Sequence, residues 1–295
     1  MHKGELEVTS DLVRRLLNAQ FPRWSDLELQ PILSTGTDNA LFLLGHDMVV
    51  RLPIVDWAVA DVEKEQEWLP RLAPFLPVPI PTPLSMGVPD DSYPHRWSIY
   101  RWCAGENPAV GQLTRSYELA SDIADFLLAL WNIDTAGGPL AGRGLPLADR
   151  DEATRGAISS LSSMMDTRAI AAAWESALDL PVWDGPNVWI HGDLSSGNIL
   201  TIDGRLGAVI DFGALGVGDP AVDLIIAWNL FPAEARAGFR SQTGVNKATW
   251  KRGRAWALSI ALIQLPYYFQ TNLSLSDNAR YVIGEVLADF RHEQG

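Results

Sequence analysis

The sequence has a single cysteine, few basic residues and no long apolar run, and each shortage excludes a class of protein. Because Cys103 is the one cysteine among 295 residues, no disulfide can form within the chain, and we expect a reducing, cytoplasmic compartment. The longest apolar stretch, residues 256–269, contains Gln264 and Pro266 and is too short to span a bilayer, so we predict a buried helix and no membrane partner. The first residues are polar and charged, unlike the apolar core of a secretory signal.

The charge balance is acidic. The chain has 23 Lys and Arg against 36 Asp and Glu, which gives a formal net charge of −13 at pH 7. No basic cluster stands out in the sequence, so nucleic acid is a poor partner. An acidic surface attracts cationic ligands by long-range steering, although it serves solubility equally well.

The pattern of elements changes near residue 105 and indicates two domains. Apolar residues make up 47% and charged residues 20% of the chain, a composition typical of soluble globular proteins. We therefore predict an α+β fold with a small N-terminal β-sheet domain over 1–104 and a larger, mainly helical C-terminal domain over 105–295. Apolar periodicity predicts helices over 10–20, 56–72 and 113–131, strands within 30–52, 96–105 and 188–212, and an irregular proline-rich segment over 73–94.

The stretch HGDLSSGNIL, residues 191–200, contains more than a turn requires. A turn needs Gly, Ser and Asn, but it does not need Asp193 five positions before Asn198. Downstream, Asp203-Gly204 separates two short apolar runs, which is a strong hairpin signal. A hairpin at this point would bring Asn198 opposite Asp211, so that an amide oxygen and a carboxylate converge as ligands suited to Mg²⁺.

This arrangement makes Asp193 a candidate base, because Asp193 would lie beside the metal and could accept the proton of an attacking hydroxyl. His191, Asp193, Asn198 and the DFG sequence at 211–213 repeat the order found in protein kinases, where Asp is the base and the Asn and the DFG Asp bind metal. A loop held by structural Asx turns is the competing interpretation, and it does not account for the agreement of all these residues.

The first domain contains candidates for nucleotide binding. LSTGTDNAL, residues 33–41, lies between strands where a phosphate-covering loop belongs, with Gly36 and Thr37 in its turn, although one glycine also fits an ordinary hairpin. Arg51 on a following strand offers a cation. Glu65 falls on the buried stripe of the helix over 56–72, where a carboxylate needs a partner, and Arg51 is the natural candidate. A purely structural ion pair is the alternative.

The strand over 96–105 runs into the connector between the predicted domains. The Arg101 carbonyl and the Cys103 amide alternate to the same strand edge, where they could read an adenine or guanine ring. A plain connecting strand is the alternative interpretation.

On these motifs the sequence resembles the aminoglycoside phosphotransferase family. This family is the antibiotic-kinase branch of the two-lobed protein-kinase-like fold and is related to choline kinases and macrolide phosphotransferases. The resemblance spans nearly the whole chain. The matching stretches are HGDLSSGN (191–198), VIDFG (209–213), GDPAVDL (218–224), VVRLP (49–53) and YRWCAGE (100–106).

The resemblance implies roles for individual residues. Asp193 corresponds to the catalytic base, Asn198 and Asp211 to the Mg²⁺ ligands, and Asp219 and Asp223 to braces of the catalytic loop. Arg51 departs from the Lys that many relatives have. Arg can still contact phosphate through its forked geometry, but the choice between ATP and GTP stays open.

Three functions are compatible with these features. The first is a Mg²⁺-dependent phosphotransferase that moves the γ-phosphoryl group of ATP or GTP to a hydroxyl of an aminoglycoside-like or macrolide-like antibiotic. The second is the same chemistry on a metabolite such as an amino alcohol or sugar. The third is a non-catalytic nucleotide-binding protein, which the presence of both Asp193 and Asp211 disfavours. The sequence does not distinguish a monomer from a dimer.

Overall fold

The computed structural model of the protein describes residues 6–32 and 38–294. Helices in this part of the chain are α1 (Ser10–Gln20), α2 (Val59–Leu72), α3 (Ser116–Trp131), α4 (Asp151–Leu161), α5 (Arg168–Leu178), α6 (Ile226–Asn229), α7 (Ala233–Thr243), α8 (Lys247–Tyr268) and α9 (Leu273–Gln294). Strands are β1 (Leu29–Ile32), β2 (Asn39–Leu44), β3 (Met48–Pro53), β4 (Pro83–Gly87), β5 (Trp97–Arg101), β6 (Val188–Ile190), β7 (Ile199–Ile202), β8 (Arg205–Val209) and β9 (Gly216–Gly218).

The described residues divide into two compact units. Unit 1 comprises the described residues of Met1–Gly105 together with Gly207–Gly213. Unit 2 comprises Glu106–Leu206 together with the described residues of Ala214–Gly295. The segment that carries the DFG sequence therefore belongs to the unit built from the N-terminal residues. Within unit 1 the Val209 amide donates to the Pro79 carbonyl over 3.2 Å, and the Lys64 ammonium donates to the Gly213 carbonyl.

Unit 1 is built on a five-stranded antiparallel sheet in the order β1-β2-β3-β5-β4. Residues two apart on a strand share a face, so Val50 and Leu52 of β3 both contribute to one buried core. Leu16 and Leu17 of α1 are fully buried in the same core. Burial of each such side chain stabilises the unit by roughly 1.5–3 kcal/mol.

Helix α2 presents one buried stripe and one exposed face. Val62 and Leu69 are buried with Glu65, which is 1% exposed and is the charged residue of the stripe. Glu63 lies on the other face and forms an exposed ion pair with Arg96 over 2.6 Å. The 3.6-residue period separates these two glutamates, as the sequence predicts.

Unit 2 is mainly helical, and aromatic residues fill its core. Helix α8 is buried over most of its length and packs against α9 and α4. Its N-terminus is capped by the Asn246 side chain, which accepts from the Thr249 amide over 2.8 Å. In the described part of the chain, no helix combines the length and the apolar character that crossing a membrane requires. The largest fully buried side chains of the unit include Trp174, Trp189, Trp228 and Trp256.

The predicted hairpin at Asp203-Gly204 is present. β7 and β8 form a two-stranded sheet, and Asp203 and Gly204 have φ of +52° and +75°. Positive φ at both central residues is what a type I′ hairpin turn requires, which explains the Asp-Gly pair.

The α+β composition predicted from the sequence is confirmed, while two short strands were not predicted. α1 lies where the sequence predicts it, and α2 and α3 begin three residues later than expected, a difference of the size by which helix ends commonly vary. β4 falls inside the proline-rich segment that we expected to be irregular. β9 follows the DFG sequence and pairs antiparallel with β6.

Candidate active site

The catalytic loop of unit 2 begins at the end of β6 with a backbone turn that only glycine fits. Gly192 has φ +79°, and a Cβ at this position would lie 2.7 Å from the Ala214 carbonyl oxygen. His191 before it is fully buried, while Asp193 after it is partly exposed. The turn therefore directs the chain from the core to the surface at the residue predicted to be the base.

Asp223 holds the backbone of this turn in place through hydrogen bonds. Its carboxylate accepts from the His191 amide over 3.1 Å and from the Gly192 amide over 2.8 Å. The Trp131 indole donates to the same carboxylate over 3.2 Å. Burial raises the pKa of Asp223, and the hydrogen bond from the Gly192 amide opposes this rise. The brace that the resemblance implies for Asp223 is thus visible as hydrogen bonds to the loop backbone.

Asp219 supports the segment that carries Asp223. Its carboxylate forms a buried ion pair with Arg252, at 2.7 Å from Nε and 3.2 Å from Nη2. The same carboxylate accepts from the Ala221 amide over 2.9 Å and caps the short helical turn over 220–225. Asp219 therefore acts on the segment behind the catalytic loop, one step further from the loop than Asp223.

The remainder of the catalytic loop is tied down by two asparagines and an arginine. The Asn198 amide nitrogen donates to the Asp193 carbonyl over 2.8 Å. Asn107 donates to the carbonyls of Gly197 over 2.9 Å and Ile199 over 2.8 Å. The Arg143 guanidinium donates to the Asp193 carboxylate. Asp193 and Asn198, predicted as base and metal ligand, therefore lie together in unit 2 on a well-anchored loop.

Unit 1 contains the ion pair that the sequence predicts between Arg51 and Glu65. Arg51 Nη1 lies 2.7 and 2.9 Å from the two Glu65 carboxylate oxygens, and Arg51 Nη2 lies 2.7 Å from Asp211 Oδ1. The Tyr100 hydroxyl donates to Glu65 Oε2 over 2.5 Å. With its amide oxygen facing Arg51, Asn39 accepts from Nη2 over 3.0 Å. Strand β3, helix α2 and the DFG sequence thus meet at one guanidinium.

The electrostatics of this cluster keep Arg51 charged. Burial disfavours the cation, but the charges of Glu65 and Asp211 outweigh it, so the pKa of Arg51 lies well above its ordinary value. Burial and then the Glu65 charge raise the pKa of Tyr100, which stays a neutral donor. The cluster is therefore a preorganised cation with carboxylates on two sides.

The backbone of the DFG sequence is held in an unusual conformation. Asp211 has φ +62°, a region that residues with a Cβ seldom adopt and that recurs at active sites and switch regions. Lys64 donates both to the Gly213 carbonyl and, over 2.9 Å, to the Asp61 carboxylate. Burial raises the pKa of Asp61, and the hydrogen bond from Lys64 lowers it in return.

The residues predicted to bind Mg²⁺ have suitable donor atoms. The hydrogen bond from the Asn198 amide nitrogen to the Asp193 carbonyl fixes the amide plane and leaves its oxygen on the opposite side. The Asp211 side chain is 47% exposed, so its carboxylate is accessible as well as bound to Arg51. Amide and carboxylate oxygens are hard ligands of the kind Mg²⁺ prefers, so the donor set fits this ion. The convergence of Asn198 and Asp211 stays a prediction.

The remaining sequence-predicted residues lie in or near the sheet of unit 1. The Arg101 amide donates to the Thr82 carbonyl over 2.9 Å, which places the Arg101 carbonyl on that same edge of β5, just beyond the start of β4. Cys103 is half-buried, and burial raises the pKa of its thiol. Gly36 and Thr37 lie outside the described residues.

Unit 2 also contains an apolar cavity of about 220 Å³. Leu145, Val182 and Trp183 line it, and the buried Arg252–Asp219 pair lies at its wall. Its lining includes Gly144, the residue after Arg143, so the cavity shares a loop with the arginine that contacts Asp193.

Sequence reasoning missed three residues that shape the site. Arg143, Asn107 and Lys64 contact the catalytic loop or the DFG backbone, yet none lies in a recognised motif. Arg143 and Asn107 lie in irregular segments that lack periodicity. Lys64 adjoins Glu65 on α2, so its proximity to Glu65 was the one available signal.

Comparisons with known proteins identify relatives of this chain. A model of the phosphotransferase enzyme family matches residues 29–256. An aminoglycoside 3'-phosphotransferase of Escherichia coli is 26% identical over 178 residues, which cover 57% of this chain and 63% of that protein. The chain thus matches less than two thirds of the length of this curated relative.

Solved structures show the same fold. The GDP and kanamycin complex of APH(2")-IIia superposes with a TM-score of 0.76 at 19% identity, covering 94% of this chain and 98% of that one. The macrolide 2'-phosphotransferase MphH from Brachybacterium faecium superposes with a TM-score of 0.64 at 22% identity, covering 93% and 98%. The predicted protein-kinase-like fold is therefore confirmed, and with the family match over most of its length the chain belongs to the phosphotransferase enzyme family.

Proposed function

We propose that this protein is a Mg²⁺-dependent phosphotransferase that moves the γ-phosphoryl group of a nucleoside triphosphate to a hydroxyl of a small molecule. The observation that carries the proposal is the position of Arg51, which binds buried Glu65 and the DFG Asp211 at once. Kinases need these three groups together, because the cation contacts phosphate and the Asp binds the metal. The family membership of the chain supports the same chemistry.

Asp193 takes the role of the catalytic base. In the reaction, a bond forms between the acceptor oxygen and the γ-phosphorus, and the bond from the γ-phosphorus to the bridging oxygen breaks. The nucleoside diphosphate leaves with that oxygen, and the hydroxyl proton passes to the Asp193 carboxylate. Asp223 accepts from the Gly192 amide just before Asp193, and Asn107 donates to the Gly197 carbonyl further along, so the loop backbone that carries this carboxylate is anchored on both sides.

The nucleotide site is assigned to unit 1. Arg51 would contact the non-transferred phosphates, and Gly36 and Thr37 would cover them. The Arg101 carbonyl and the Cys103 amide would bind the base. Bound Mg²⁺, held by Asn198 and Asp211, would neutralise phosphate charge. Related structures are complexes with GDP, ADP and ATP, so both ATP and GTP are candidate donors.

The acceptor is proposed to be an aminoglycoside-like or macrolide-like antibiotic. The net charge of −13 and the kanamycin and gentamicin complexes of related structures favour a cationic aminoglycoside. The apolar cavity beside the loop of Arg143 favours a larger, apolar acceptor such as a macrolide. These two observations lead to different acceptors, and an acceptor panel distinguishes them.

The test is nucleoside diphosphate release with Mg²⁺ and either ATP or GTP. The panel contains aminoglycosides, macrolides, choline and simple sugars. Stimulation by one antibiotic class supports the proposal and identifies the donor. Stimulation by choline or a sugar would make the protein a metabolite kinase. No consumption of nucleotide under any condition would contradict the proposed chemistry and leave a nucleotide-binding role.

A further inference from the structure

Arg143 lies in the segment between α3 and α4 and contacts the catalytic loop. Its Nη1 donates to the Asp193 carboxylate and, over 3.1 Å, to the Gly192 carbonyl. One side chain therefore contacts both the proposed base and the backbone of the glycine turn before it. No motif of the sequence marks this residue.

The segment that carries Arg143 is fixed in place along β9. The Val217 amide donates to the Pro139 carbonyl over 2.8 Å, and the Ala141 amide donates to the Val217 carbonyl over 3.1 Å. On the other side of Arg143, the Asp219 amide donates to the Gly144 carbonyl over 3.2 Å. Backbone hydrogen bonds on both sides of Arg143 thus fix the backbone position from which its side chain extends.

Gly144 shows how closely this segment approaches the catalytic loop. It has φ +80°, and a Cβ there would lie 2.8 Å from the Ile190 side chain and 3.3 Å from the Asp219 amide nitrogen. Ile190 directly precedes His191, the first residue of the catalytic loop. The position is therefore closed to side chains, which lets the segment pack directly on the end of β6.

The ion pair between Arg143 and Asp193 is accessible to a substrate. The side chains are 31% and 37% exposed. A pair this exposed contributes at most about 1 kcal/mol to stability, so its effect on the fold is small. A guanidinium carries five N–H donors in a fork, and both contacts described above use Nη1.

A basic side chain near Asp193 must come from outside the catalytic loop, because the stretch HGDLSSGN over 191–198 contains neither Lys nor Arg. In phosphoryl transfer, negative charge spreads over the oxygens of the transferred group, and a positioned arginine stabilises it. Arg143 supplies such a positive charge at the carboxylate that the acceptor hydroxyl must approach.

We propose that Arg143 contacts the transferred phosphoryl group during the reaction, and that its ion pair with Asp193 holds it ready beforehand. This inference rests on the proposed function. When the bond to the leaving oxygen breaks and the bond to the acceptor oxygen forms, the guanidinium donates hydrogen bonds to the non-bridging oxygens. It neither gains nor loses a proton.

The test compares Arg143→Met and Arg143→Lys with the wild type. Arg155→Met is the matched control, because Arg155 also pairs with carboxylates, Asp151 over 2.7 Å and Glu175 over 2.6 Å, on an exposed helix face. We expect Arg143→Met to lower kcat by roughly 10²–10³-fold with KM for nucleotide largely kept. The kcat of Arg143→Lys should lie between those of Arg143→Met and the wild type, since lysine keeps the positive charge and loses the forked guanidinium geometry.

A binding measurement separates this role from a structural one. Affinity for nucleoside diphosphate with Mg²⁺ is measured by calorimetry with and without aluminium fluoride, which mimics the phosphoryl group in transfer. The wild type and Arg155→Met should bind more tightly with fluoride present. Arg143→Met should lose this gain, while its affinity for the diphosphate alone and its melting temperature stay unchanged.

Two results would overturn the inference in distinguishable ways. If the enzyme transfers phosphate and Arg143→Met keeps the wild-type kcat and the full fluoride effect, the proposed role of Arg143 is wrong and the proposed function is not affected. A wild-type chain that neither transfers phosphate nor hydrolyses nucleotide would reject the proposed function and, with it, this role for Arg143.

Discussion

Replacing Glu65 by Gln tests the buried cluster of unit 1 on which the proposed nucleotide site depends. The substitution keeps the shape of the side chain and removes its charge. Glu65 is 1% exposed, and it binds both Arg51, over 2.7 Å, and the Tyr100 hydroxyl, over 2.5 Å. Glu65→Gln therefore leaves a largely buried guanidinium, with a side chain 15% exposed, with one carboxylate fewer.

The size of the effect follows from the partners that remain. Removal of one member of a buried ion pair costs about 3–5 kcal/mol. Arg51 keeps Asp211 at 2.7 Å, so we expect the lower end, about 3 kcal/mol. At about 1.4 kcal/mol for each factor of ten, this corresponds to a roughly 100-fold rise in the equilibrium constant for opening of unit 1.

Glu63→Gln is the matched control, because Glu63 lies on the same helix and has the same chemistry. Its ion pair with Arg96 is exposed, with side-chain exposures of 39% for Arg96 and 62% for Glu63. Such a pair contributes at most about 1 kcal/mol. Helix propensity changes equally in both variants, so their difference isolates burial and pairing.

Amide hydrogen exchange is the suitable assay, since a chain with two compact units need not unfold in one step. Amides of β3 and α2 should exchange roughly 100-fold faster in Glu65→Gln than in the wild type, while amides of α8 in unit 2 serve as the internal reference. Equal protection of β3 in Glu65→Gln and Glu63→Gln would refute the reasoning, because the Glu65 charge would then have no energetic role.

Three further predictions address the proposed chemistry. Asp193→Ala should lower kcat by roughly 10²–10⁴-fold with nucleotide affinity kept, and near-full turnover in a steady-state assay would remove Asp193 as the base. Asp211→Ala should abolish the Mg²⁺-dependent part of nucleotide binding in calorimetry, and unchanged affinity would exclude it as a metal ligand. Because burial raises the pKa of the lone thiol, alkylation of Cys103 should be slow, speed up with rising pH and slow further with nucleotide bound, with Cys103→Ser as the unreactive control. No nucleotide effect on this rate would argue against base binding at the connector.

Local patterns predicted the parts of the fold that depend on nearby residues. Helical periodicity placed Glu65 on the buried face and Glu63 on the exposed face, because a helix fixes side-chain directions over one turn. The Asp203-Gly204 pair predicted the hairpin, since both residues tolerate positive φ. These features depend on a few adjacent residues and are therefore visible in a single sequence.

Features that depend on tertiary contacts were not predictable in this way. Strand β4 begins at Pro83 and lies at the edge of the sheet, a position where a missing N–H is tolerated, but the proline-rich sequence alone favours irregular structure. The membership of 207–213 in unit 1 depends on contacts with residues more than a hundred positions upstream, such as Pro79. Arg143 contacts Asp193 because its segment is fixed along β9. The spacing of residues along the sequence does not indicate this contact.

The most direct test of the central claim is to identify the product in a single-turnover reaction. The protein is mixed in excess over γ-labelled ATP or GTP with Mg²⁺ and each acceptor, and phosphorus NMR and mass spectrometry identify the labelled species. We predict a phosphomonoester on one acceptor hydroxyl in the wild type and its loss in Asp193→Ala. Label found only in unreacted nucleotide, with every acceptor and both donors, would contradict it.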